Sequence, residues 1–107
     1  MIRHMSIAAL LSLLWGCSPC ASSCSAQSRV FEQCLDNWNL EWTDLGALDA
    51  DDYRDRCSDD HQLRLSAANE EQASEQRSGC SALADALRLE DNCDEAWQTL
   101  INSGAAP

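Results

Sequence analysis

The chain has 107 residues, enough for one small domain, and 7 basic against 18 acidic side chains give a net charge of −11. This balance argues against nucleic acid as a partner, because phosphate binding depends on Lys and Arg, which are outnumbered here. The chain also contains seven cysteines. A small domain with so many cysteines is typical of an oxidising compartment, where disulfides supplement a small hydrophobic core.

The N-terminus has the layout of an export signal. Arg3 precedes an apolar run over residues 7–15, which matches the order of regions in a signal peptide. The run is about half as long as the roughly 20 residues that a membrane-spanning helix needs. We therefore predict that residues 1–16 are a signal peptide and not a permanent transmembrane anchor.

The apolar run ends in Leu14-Trp15-Gly16-Cys17. A branched apolar residue three positions before a cysteine, with a small residue just before it, resembles the lipobox of bacterial lipoproteins. In that family the cysteine receives a diacylglyceryl group and the chain is cut before it, which implies that Cys17 is lipidated and is the first mature residue. Two or three acyl chains would hold the protein on a bilayer almost permanently. Ser18 resembles the residue found at this position in lipoproteins delivered to the outer membrane, so we expect a lipid-anchored protein of the cell envelope.

A plain secretory signal is the alternative to the lipobox. It would be cut after Ala26 or after Ser23, and it would release a freely secreted small effector or inhibitor. Cleavage before Cys17 leaves six further cysteines, and cleavage after Ala26 leaves four. Both numbers are even, so cysteine pairing supports export without choosing between the two signals.

The cysteines that follow Cys17 are the disulfide candidates, namely Cys20, Cys24, Cys34, Cys57, Cys80 and Cys93. The first two lie within residues 17–27, a stretch rich in Ser, Ala and Cys that we predict to be a lipid-anchored tether. There they are expected to close a small loop or to remain free thiols. Together with Cys17 they form a C-x₂-C-x₃-C pattern, but a fourth nearby ligand is missing, so no metal site is predicted.

The last four cysteines each lie on the apolar stripe of their own helical segment, which favours bridges that join helices across the core. A hairpin centred near Gly46 would bring Cys34 level with Cys57, and this pair is therefore favoured. The combination of Cys34 to Cys93 with Cys57 to Cys80 remains open.

From residue 28 onward, apolar residues recur at helical spacing, which predicts an all-α bundle of three to four helices over residues 28–107. The first helix is expected to begin near Ser28 and to continue towards Gly46. A short second helix would follow Asp49 and end at a polar linker over residues 58–62.

A third helix is predicted to be capped by Ser66, with a break near Gly79. Asn92 and Glu95 resemble a capping pair for a final helix that ends at Gly104. Three tryptophans at helical spacing are predicted to belong to the core, namely Trp38, Trp42 and Trp97.

The sequence gives no set of residues for catalysis, a metal or a cofactor, so the protein is predicted not to be an enzyme. The acids around Asp49 and Asp52 lack the spacing of a calcium-binding EF-hand and are interpreted as a solvated helix start. His61 is the one histidine of the mature chain, and we interpret it as a solvated surface residue.

These features predict an exported lipoprotein that acts as a non-catalytic binding module in the cell envelope. Its membrane contact would be the lipid on Cys17. The strong negative charge favours a cationic protein or peptide as partner, through an attraction that weakens as salt concentration rises.

Overall fold

The computed structural model describes residues 18–107. The predicted signal peptide and Cys17 lie outside these residues. The described part contains four α-helices: α1 (Pro19–Cys34), α2 (Ala50–Ala67), α3 (Glu70–Leu89) and α4 (Cys93–Asn102), with a 3₁₀ helix (Trp42–Leu45) between α1 and α2. It contains no strand, so the predicted all-α bundle is confirmed.

The central helix is α1. It packs against α2 on one side and against α3 on the other, while α4 contacts both α1 and α3. Direct contacts between α2 and α3 are sparse. The two helices therefore stand apart and leave a groove between them, with α1 as its floor.

The hydrophobic core lies where α1, α3 and α4 meet. Its centre is Phe31, which is fully buried and makes edge-to-face contacts with Trp38 and Tyr53 at ring-centre distances of 5.8 and 5.1 Å. Aromatic pairs of this kind contribute about 0.5–1.5 kcal/mol beyond the burial of their surface. The remaining members of the core cluster are Ala26, Val30, Cys34, Leu35, Leu87, Ala96 and Leu100.

The three tryptophans predicted to belong to the core are partly buried at its edge. Trp38 and Trp42 pack against the core cluster, and Trp97 lies 5.0 Å from Trp38 between ring centres. The indole nitrogen of Trp38 donates to the carbonyl oxygen of Cys93 at 3.2 Å, which satisfies its polar edge.

The structure places residues 19–27 in α1, and so corrects the prediction of a tether that reaches residue 27. Pro19 occupies the first turn of the helix, where its fixed φ angle suits the helix and its missing N–H would be unpaired anyway. The small side chains of this stretch let neighbouring helices approach closely, and a disulfide joins Cys20 to Cys80 on α3. The folded domain therefore begins near Pro19, not near residue 28.

The first helix also ends earlier than predicted, at Cys34. The chain then turns sharply, and Asn39 adopts a left-handed conformation with φ of 55°. Asparagine is one of the few residues with a side chain that tolerates this region. The turn brings the two tryptophans that follow α1 back onto the core, instead of extending the helix towards Gly46.

The second helix is longer than predicted, and the third begins later than predicted and is unbroken. The predicted linker over residues 58–62 lies inside α2, and Ser66 lies near the end of that helix instead of capping the next one. The N-cap of α3 is Asn69, which forms a capping box with Gln72. The helix runs through Gly79 without a break. For α4 the predicted cap is confirmed, because Asn92 Oδ1 accepts from the backbone N–H of Glu95 at 2.8 Å.

Three disulfides join α1 to each of the other helices, and they link Cys20 to Cys80, Cys24 to Cys57, and Cys34 to Cys93. The favoured pairing of Cys34 with Cys57 is wrong. Because α1 begins about nine residues earlier than predicted, Cys24 lies level with Cys57. Cys34, at the end of α1, lies beside α4 and pairs with Cys93. Of the open alternative, only the bridge to Cys93 forms. The expectation that Cys20 and Cys24 close a small loop or remain free thiols is also wrong.

Candidate functional site

The groove between α2 and α3 has a volume of about 890 Å³. This volume lies within the range of about 300–1,000 Å³ that is common for small-molecule sites. The floor is α1, and the segment after α4 closes one end. The lining residues are Ser23, Gln27, Leu45, Tyr53, Arg56, Cys57, Asp60, His61, Arg64, Gln76, Gly79, Cys80, Ala82, Leu83, Ala86, Thr99, Asn102, Ser103, Gly104 and Ala105.

The two walls of the groove differ in polarity. The α2 wall presents charged and polar side chains over about two helical turns, namely Arg56, Asp60, His61 and Arg64. The α3 wall presents mainly small and apolar side chains, namely Gly79, Ala82, Leu83 and Ala86. A ligand that lies along the groove would therefore meet polar groups on one side and hydrocarbon on the other.

The floor of the groove holds a chain of neutral hydrogen bonds. The hydroxyl group of Tyr53 donates to Gln27 Oε1 at 2.9 Å, and Gln27 Nε2 donates to Ser23 Oγ at 3.0 Å. Ser23 and Gln27 are buried. Burial raises the pKa of Tyr53 to about 12, so its phenol stays protonated at physiological pH.

The side chain of His61 lies at the polar end of the groove, between two disulfides. Gln76 Nε2 lies 3.0 Å from His61 Nδ1, and Cys80 Sγ lies 3.8 Å from the same nitrogen. Because an amide nitrogen is a donor, Nδ1 accepts this hydrogen bond, and the proton of the neutral ring is on Nε2. Burial lowers the pKa of His61, and the Arg64 charge acts in the same direction. The interpretation of His61 as a solvated surface residue is therefore wrong.

The sulfur atoms near His61 are not available as metal ligands while the bridges are intact. His61 could share an ion with Cys20 and Cys80, or with Cys24 and Cys57. In each group, however, the two sulfurs are bonded to each other. Metal binding by cysteine requires a thiolate.

The acids at the start of α2 stabilise the helix. Asp49 Oδ1 accepts from the backbone N–H of Asp52 at 2.8 Å, as an N-cap residue does. Asp52 accepts from the backbone N–H of Leu48 at 2.9 Å and from Arg56 Nε at 2.8 Å, and these donors lower the pKa of its carboxyl group. These contacts agree with the prediction of an acidic helix start.

Acidic side chains are nearly absent from the groove. Of the 18 acids in the chain, Asp60 alone is among the residues that line it, beside Arg56 and Arg64. The lining of the groove thus has a small positive charge in a chain of net charge −11. The other acids give the outer surface its negative charge.

No family model, curated protein or solved structure matches this chain. Within residues 18–107, no helix is both long and apolar enough to cross a bilayer. The fold and the groove define this part of the chain as a small acidic helical domain with three disulfides and a cavity of ligand size.

Proposed function

We propose that the protein is an exported bacterial lipoprotein whose helical domain is held on an envelope membrane by lipid on Cys17 and serves as a non-catalytic binding module. The observation that carries this proposal is the pairing of all six later cysteines with one another. Three bridges in a small domain are typical of an oxidising compartment. None of the six is left to pair with Cys17, which stays available for a thioether.

The bridges also favour cleavage before Cys17 over the secretory alternative. Cleavage after Ala26 would remove the bridge partners of Cys57 and Cys80, together with half of α1. Cleavage after Ser23 would remove the partner of Cys80 alone. Cleavage before Cys17 retains all three bridges and the whole of α1.

An anchor at Cys17 would hold the domain close to the bilayer, because α1 begins two residues later. Cys80 is level with the first turn of α1, and ten residues of α3 precede it. At 1.5 Å per residue, this part of α3 extends about 15 Å beyond Cys80. The turn between α2 and α3 therefore lies on the side of the domain that would face the membrane.

The proposed partner is a cationic protein or peptide that binds the outer surface. Seventeen of the 18 acids lie outside the groove lining, and such a surface attracts cations over distances comparable to the Debye length. Affinity should fall as salt concentration rises. Binding that is indifferent to salt would contradict this part of the proposal.

The lipid anchor is tested by intact-mass measurement on protein recovered from bacterial membranes, with and without thiol alkylation. We expect a chain that begins at Cys17, carries the mass of its acyl groups and has no alkylatable thiol. Cys17→Ser should abolish acylation. Ser22→Ala is the control, because Ser22 is exposed and lies outside the lipobox-like motif. A soluble chain that begins near Gln27 would overturn the proposal.

A further inference from the structure

The α2 wall of the groove contains donors that internal ion pairs do not use up. Arg64 contacts Asp60 Oδ2 through one nitrogen at 2.6 Å, and Arg56 contacts Asp52 Oδ2 through Nε at 2.8 Å. A guanidinium group has five N–H donors in a planar fork. Both arginine side chains are more than half exposed, at 58% and 64%, so their remaining donors can reach a ligand.

Away from His61, the α3 side of the groove is suited to hydrocarbon. Leu83 and Ala86 lie on the α3 wall, and Leu45 and Ala105 lie near the end that the C-terminal segment closes. The Tyr53 ring, with its neutral phenol, lies at this end of the groove. Each CH₂ group that a ligand buries against such surface favours binding.

We propose that this groove binds a single-chain amphiphile with an oxyanion head group. The carboxylate or phosphate head contacts Arg64 beside His61 and Gln76, and the alkyl chain lies along the α3 wall towards Leu83 and Ala86. This site is distinct from the acidic outer surface proposed to bind a cationic partner. The charge of the lining supports the assignment, because Arg56 and Arg64 outnumber its single carboxylate, Asp60.

The length of the groove suits a chain of medium length. Arg56 and Arg64 are eight residues apart on α2, which corresponds to about 12 Å along the helix. Decanoate has a similar extended length and provides the carboxylate, so it is the first probe. Decyl phosphate provides the same chain with the other head group and distinguishes the two oxyanions.

The test uses the mature chain with Cys17→Ser, exported behind an ordinary secretory leader so that no acyl group competes for the groove. Calorimetric titration with decanoate should give saturable binding of one molecule per chain. NMR shifts should map to Gln76, Ala82, Leu83 and Ala86. Decanol and decyltrimethylammonium, which lack the negative charge, should bind far more weakly.

Two variants locate the head and the chain. Arg64→Gln should weaken decanoate binding by roughly tenfold, which corresponds to the loss of about one charge-assisted hydrogen bond. Arg54→Gln is the matched control, because Arg54 lies on the same helix and contacts Asp51 and Asp55 away from the groove. Ala82→Trp should fill the groove and abolish binding without a change of charge.

The proposal is overturned if decanoate and decyl phosphate give no saturable heat and no localised NMR shifts. Equal binding of the cationic amphiphile would also overturn it, as would Arg64→Gln binding decanoate as tightly as the parent chain. If a variant fails to fold, as judged by circular dichroism, the shift map of the parent chain decides the outcome. These experiments need only the folded domain, so a negative result leaves the proposed anchor at Cys17 intact.

Discussion

The Cα atoms of Cys20 and Cys80 lie 4.8 Å apart, so a disulfide joins the first turn of α1 to the middle of α3. This bridge spans 60 residues of sequence and restricts the unfolded chain strongly. We predict that the double variant Cys20→Ser/Cys80→Ser lowers the free energy of unfolding by about 2–5 kcal/mol. Urea unfolding followed by circular dichroism measures this change.

The control for this prediction is Ser22→Ala, since Ser22 lies on the exposed side of the same turn. It should change the free energy of unfolding by less than about 0.5 kcal/mol. A double cysteine variant as stable as the parent chain would show that this bridge does not stabilise the domain.

Much of the fold follows from the sequence, because apolar periodicity predicts helices wherever large side chains recur. The stretch that became the first half of α1 lacks such side chains, and its Ser and Ala content is typical of a linker. The signal that identifies it as a helix is the spacing of its cysteines, since Cys20, Cys24 and Cys34 fall on one helical face that continues to Phe31. Its small residues allow it to lie between two helices.

The groove was harder to predict than the fold. Its polar wall requires α2 to continue through residues 58–62, where the sequence is almost entirely polar. The spacing of Cys57 and His61, four residues apart, places both on one face of such a helix. This shared face is lost when the second helix is predicted to end before the polar linker over residues 58–62. Periodicity also does not reveal that α2 and α3 stand apart on either side of α1.

Gly79 offers a prediction of increased stability. It lies inside α3 at the groove wall, and a Cβ atom built there has no neighbour within 4 Å. Gly79→Ala should therefore raise the free energy of unfolding by about 0.5–1 kcal/mol, because alanine restricts the unfolded chain and favours the helix. Thermal and urea unfolding both measure the effect.

The control for Gly79→Ala is Gly46→Ala. Gly46 has no neighbour near its Cβ position either, but its φ of 72° is unfavourable for a residue with a side chain. This substitution should destabilise the domain. Destabilisation by Gly79→Ala as well would show that the helix does not tolerate a side chain at this position.

The N-cap of α3 provides a test of the corrected helix boundaries. Asn69 Oδ1 accepts from the backbone N–H of Gln72 at 2.8 Å, so Asn69→Ala should lower the free energy of unfolding by about 1 kcal/mol. Ser66→Ala should have a smaller effect, because Ser66 is exposed and its hydroxyl group donates to the carbonyl oxygen of Leu63. The reverse order, measured by urea unfolding, would place the cap at Ser66.

The position of His61 predicts how stability depends on pH. Burial and Arg64 hold its folded-state pKa below the ordinary value of 6.5, although Asp60 acts in the opposite direction. The unfolded chain therefore binds this proton more readily, so the stabilising contribution is complete above pH 6.5 and is lost as pH falls through the folded-state pKa. We expect the parent chain to lose stability as pH falls below 6.5, and His61→Gln to show a flatter profile in urea unfolding. The lowered pKa of Asp52 affects stability only at lower pH, so Asp52 does not contribute to the change expected for His61. An NMR titration that places the pKa of His61 above 6.5 would contradict the prediction, because the sign of the slope would then reverse.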